Sequence, residues 1–157
     1  MLTMADHDRP TGDSSSQPDP ANDPEGAEPD RTERALAELA ERETAYGLYQ
    51  RGRQMMRRRH NAQAAVLLER ARRLEPGKGS IVETLARAYY NSGQHQRAAE
   101  AFAELLEIDP SSAYGHFGLG QAFKQVGRRD AARTHLRLAV ALAPHSALYR
   151  RALDRLG

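Results

Sequence analysis

The chain has 157 residues, 39% of them apolar and 28% charged, with no cysteine. That is room for one domain and a tail, and it excludes a disulfide framework or a cysteine metal site. No apolar run approaches the length of a membrane span.

The formal net charge of +2 hides a split: residues 1–30 carry −7 and residues 31–157 carry +9. Met1 to Asp30 has no basic stretch followed by an apolar one, so no secretory signal is read there and the cytoplasm is the expected location. Arginine outnumbers lysine 21 to 2, a bias that reads as a GC-rich bacterial genome.

Residues 1–30 are rich in Pro, Asp, Ser and Gly and hold almost nothing apolar after Met4. Such a segment cannot bury enough surface to offset the entropy of ordering, so it is expected to be a disordered acidic tail. Asp30 then suits a helix N-cap, with Glu33 three residues on as in a capping box. Ala35, Leu36, Leu39 and Ala40 follow at helical spacing. No proline interrupts Arg31 to about Arg58. The first helix therefore either continues into the next element or breaks near Gly47.

Pro76, Pro110 and Pro144 are 34 residues apart, and each closes an apolar helical stretch. A fixed period of this size ending in proline marks a stacked helix–turn–helix array. The units are 45–76, 79–110 and 113–144. Gly93-Gln94 and Gly127-Arg128 mark the inner turns of the second and third units, where glycine suits a left-handed residue. Arg59-His60 stands there in the first unit and reads as a weaker turn. Residues 146–156 read as a capping helix, with Leu148, Tyr149, Ala152, Leu153 and Leu156 on its apolar face. The domain thus spans 31–157, as an all-α solenoid of three units with an N-terminal helix and a C-terminal cap.

Read in register, the units share a residue pattern. The small pairs Gly52 with Ala64, Ala86 with Ala98, and Gly120 with Ala132 let paired helices approach. Tyr89 with Phe102, and Phe123 with Leu136, fill the remaining gap. On these residues the chain resembles the tetratricopeptide repeat (TPR) family over about 45–156, as a short, stand-alone bacterial member, possibly actinobacterial. The first unit departs from the pattern at Arg51 and Arg59, and Leu105 replaces a small residue in the second.

The resemblance implies a right-handed solenoid whose first helices line a concave, peptide-binding groove. Its groove positions carry Tyr46, Tyr49, Arg53, Met56 and Arg57 in the first unit, and Ser80, Glu83, Arg87, Tyr90 and Asn91 in the second. The third unit gives Tyr114, Phe117, Gln121, Lys124 and Gln125. Aromatic rings among arginines suit an acidic peptide bearing apolar side chains. The alternative is that these aromatics are packing residues, with Tyr46 and Tyr49 meeting the N-terminal helix. Members that grip chaperone C-terminal carboxylates carry Lys, Asn, Asn, Lys and Arg where this chain has Tyr49, Arg53, Thr84, Tyr114 and Gly118. That role is therefore disfavoured.

The expected function is a non-enzymatic scaffold or adaptor with a protein or peptide partner. Self-assembly into a homo-oligomer and a specialised chaperone are the alternatives, with nucleic-acid binding through Arg57-Arg58-Arg59-His60 a weaker one. The tail either occupies the groove or merely keeps the chain in solution. No metal site is read from the six histidines, and no cofactor loop or catalytic constellation from the rest. No membrane partner is expected.

Overall fold

The computed structural model describes residues 30–157. The expected acidic tail lies outside the described residues, apart from Asp30. The described residues form eight helices and no strand. They are α1 (Arg31–Arg42), α2 (Ala45–Arg57), α3 (Asn61–Leu74), α4 (Gly79–Asn91), α5 (His95–Ile108), α6 (Ala113–Gln125), α7 (Arg129–Leu142) and α8 (Ala147–Leu156).

The 34-residue period is written into the helix starts. First helices begin at residues 45, 79, 113 and 147, and second helices at 61, 95 and 129. Caps explain three of these starts. Thr44, Ser112 and Ser146 stand one residue ahead, and their hydroxyls accept from the amides of Gly47, Gly115 and Tyr149. Each such cap is worth about 1 kcal/mol.

The same chemistry decides where the N-terminal helix stops. Thr44 is extended, at φ −69° and ψ 152°, and its hydroxyl caps α2 at 3.0 Å. The break thus falls at Glu43-Thr44, ahead of Gly47. Asp30 caps α1 by accepting from the amides of Glu33 and Thr32, and those bonds hold its carboxyl below the usual range.

The inner turns are alike in all three units. Arg59, Gly93 and Gly127 have φ of 63°, 82° and 82°. The next amide in each bonds back to a carbonyl five residues earlier: His60 to Met55, Gln94 to Tyr89, Arg128 to Phe123. Arg59 therefore makes the glycine turn without glycine, at a conformational cost of about 1 kcal/mol.

The core lies between the paired helices. Leu48, Leu68, Leu85 and Leu136 are fully buried, and each such side chain contributes about 1.5–3 kcal/mol. A Cβ on Gly52 would sit 2.7 Å from Leu68, and one on Gly120 would sit 2.8 Å from Leu136. The small positions thus make room chiefly for the leucine of the partner helix. At the far end, Ala152 and Leu156 of α8 bury against Ala132 and Leu136. Arg129 and Arg133 donate to the last carbonyls of α8.

One expectation needs correction. Leu148 is not part of the covering face; it is 54% exposed, because Tyr149 takes the inward position beside Phe117. The apolar residues on α1 stay exposed: Leu36 and Leu39 are 61% and 54% exposed, and among the described helices α1 touches only α2. No helix among the described residues is long and apolar enough to cross a membrane.

Candidate functional site

The first helices α2, α4, α6 and α8 touch in that order and form one wall of the solenoid. Two clefts open on it. One, of about 260 Å³, is lined by Arg87, Tyr90 and Asn91 of α4, Phe102 of α5, and Tyr114, Phe117, Gly118 and Gln121 of α6. The other, of about 320 Å³, lies between α2 and α4 and is lined by Arg53, Met56, Arg57 and Thr84. Arg87 and Asn91 border both clefts, so the two form a continuous surface.

Aromatic rings run along the first cleft. Phe102 meets Tyr114 edge-on at 6.0 Å, Tyr114 meets Phe117 at 6.2 Å, and Phe117 stacks on Tyr149 of α8 at 4.8 Å. These spacings are those of favourable aromatic pairs. Burial raises the Tyr114 phenol above its ordinary value, with Arg87 opposing the shift and Glu83 adding to it. Burial, then Glu83, likewise raises Tyr149. Both phenols are therefore neutral hydrogen-bonding groups at any physiological pH.

Arg53, Arg57 and Arg87 are exposed, and among the described residues no carboxylate forms an ion pair with them. The guanidinium of Arg53 lies 5.6 Å from the Tyr49 ring centre. Three cations on one wall, with aromatic rings beside them, can pair with carboxylates while apolar side chains enter the first cleft.

Nine of the fifteen expected groove positions line these clefts: Arg53, Met56, Arg57, Arg87, Tyr90, Asn91, Tyr114, Phe117 and Gln121. The other six, Tyr46, Tyr49, Ser80, Glu83, Lys124 and Gln125, do not. Tyr49 is half-buried and packs on the core. Tyr46 is 70% exposed, and Lys124 is exposed beyond the clefts.

Phe102 and Tyr149 are additions the sequence reading assigned to packing. Phe102 reaches the cleft because Gly118 has no side chain: a Cβ there would lie 2.2 Å from the ring. Tyr149 was findable by continuing the period, since α8 begins one 34-residue step after α6. No group of three or more His, Cys, Asp or Glu residues able to hold a metal is found among the described residues.

A tetratricopeptide repeat family model matches residues 55–116 and 92–156, more than half of the chain. The chain belongs to the tetratricopeptide repeat family. A comparison with curated proteins returns no match. Solved TPR structures share the fold at low identity. The Sgt2 TPR domain from Aspergillus fumigatus is 24% identical with a TM-score of 0.66, covering 71% of this chain and 76% of that one. MamA is 15% identical with a TM-score of 0.72, covering 80% and 73%. The first TPR of Spaghetti (RPAP3), bound to the HSP90 peptide SRMEEVD, is 14% identical with a TM-score of 0.69, covering 72% and 90%. At these identities the likeness establishes a TPR fold and nothing finer.

Proposed function

We propose that this TPR chain is a non-enzymatic scaffold that binds an acidic peptide segment bearing apolar side chains. The observation that carries the reading is the joined cleft pair, in which Arg53, Arg57 and Arg87, without an ion pair among the described residues, adjoin the ring series Phe102, Tyr114 and Phe117 through Arg87. An acidic peptide on a like fold supports it: the RPAP3 domain was solved with SRMEEVD. The mode here differs. The places where clamp members hold cations and amides carry Tyr49, Thr84, Tyr114 and Gly118, and the Thr84 hydroxyl is engaged by the Ser80 carbonyl at 2.7 Å.

Displayed random peptides selected on the full chain test this. Enrichment of Asp or Glu around an aromatic or aliphatic residue is expected, with binding lost in Arg87→Glu and in Tyr114→Ala. Selection without acidic bias, or binding indifferent to both variants, refutes it.

A second reading, self-association, rests on α1. Leu36 and Leu39 are exposed on a helix touching only α2. Light scattering after size exclusion checks it: a dimer that becomes monomeric in Leu36→Glu/Leu39→Glu supports assembly through α1. A monomer in the parent chain ends it.

A further inference from the structure

The groove has two chemical demands, carboxylates for its arginines and flat apolar groups for its rings. One segment of this chain meets both. Residues 18–29 hold four prolines, Pro18, Pro20, Pro24 and Pro29, interleaved with Asp19, Asp23, Glu25 and Glu28 and with no base. Proline rings pack flat against aromatic side chains, and proline-rich segments dock in aromatic-lined grooves with little ordering to offset. We propose that this segment lies along the groove of its own chain. It is then an intramolecular competitor that a partner must displace.

Charge and length favour this occupant. The tail through Asp30 carries −7 against +9 on the remainder, and among the described residues no carboxylate forms an ion pair with the cleft arginines. The segment ends next to Asp30, and its 12 residues from Pro18 to Pro29 extend to roughly 40 Å at about 3.3 Å per residue. The 12 residues of α1 span about 18 Å, and two helix spacings of about 10 Å lead from α2 to α6. The path to α6 is therefore about 40 Å, which the extended segment just covers, with Pro18 and Asp19 at α6 and Glu25 and Glu28 nearer α1. A tether of this kind holds its segment at effective concentrations of about a millimolar, so weak contacts suffice.

The inference rests on the groove reading above, and the test separates the two. The chain lacks cysteine, so Ser16→Cys places one nitroxide label beside the segment. Amide signals of Tyr90, Tyr114 and Gln121 are expected to broaden several-fold more than those of Arg133 and Arg137 on α7. The effect is expected to persist on dilution with unlabelled chain and to vanish in Arg53→Glu/Arg87→Glu. Equal broadening of groove and α7 overturns the proposal. So does broadening seen only when labelled chain is mixed with isotope-labelled chain, which assigns the segment to a second copy. In parallel, selected acidic peptides are titrated into a variant neutralised by Asp19→Asn, Asp23→Asn, Glu25→Gln and Glu28→Gln. Several-fold tighter binding than to the parent is expected. Unchanged peptide affinity overturns the tail proposal and leaves the groove reading standing; no peptide binding to either chain overturns both.

Discussion

His116 of α6 and His135 of α7 face each other with their Nδ1 atoms 3.1 Å apart and their rings stacked at 5.4 Å. His116 Nε2 lies 3.0 Å from the Pro110 carbonyl, which can only accept. That nitrogen therefore carries its hydrogen, leaving His116 Nδ1 as the acceptor for the His135 Nδ1–H. Burial, then the neighbouring His116, holds His135 below its ordinary value. Phe123 is the other ring against it, and no acid compensates in that contact.

The pair makes stability pH-dependent. The folded chain binds the proton on His135 less readily than the unfolded chain does. The contribution is thus present above about pH 6.5 and lost as pH falls through the unfolded value towards the depressed folded one. Chemical denaturation between about pH 7.5 and 5 is expected to show this decline. His135→Gln is expected to flatten it, and an unflattened curve would refute the assignment.

Gly118 predicts a coupling between packing and the cleft. Phe102 is 2% exposed, and its ring occupies the space a Cβ would need. Gly118→Ala is expected to destabilise the chain by about 1–3 kcal/mol and to push the ring into the first cleft. Selected peptides should bind it several-fold more weakly, whereas Gly79→Ala, with only ordinary contacts around its Cβ, should leave binding unchanged.

Arg59 offers a gain. It holds φ at 63° in a turn where the other units use glycine. Arg59→Gly is expected to add about 0.5–1 kcal/mol and raise Tm by about 2–4 °C. A lower Tm would mean that Arg59 makes contacts that matter more than its backbone.

Tyr89 ionises late. Its phenol is 5% exposed and donates to Glu69; burial first, then that carboxylate, pushes it up to about 12. The folded chain keeps this proton longer than the unfolded one, so the contribution holds below about pH 10 and fades as pH rises towards 12. Rapid pH-jump absorbance is expected to show one tyrosine ionising last, a step absent in Tyr89→Phe. Simultaneous ionisation near pH 10 with helicity intact contradicts this.

The period and the prolines made the helix starts legible, because each unit repeats the same local signals. The α1–α2 break was harder, since it depends on one hydroxyl, that of Thr44, competing with an uninterrupted helical pattern. Phe102 joined the site for a reason of space that a linear register does not carry, a missing Cβ at Gly118, whereas Tyr149, stacked on Phe117 beside the cleft, was legible by continuing the period into α8. The His116–His135 contact joins residues 19 apart on paired helices, a separation with no local signature. Tyr46 shows the limit of register, since a correct phase placed it on the right helix but beyond both clefts.

Because α8 starts in phase, the wall of first helices has four members among the described residues. Three spacings of about 10 Å give roughly 30 Å of wall. An extended peptide covers that in about nine residues. A peptide lying across this wall as proposed would therefore present about that many residues to it.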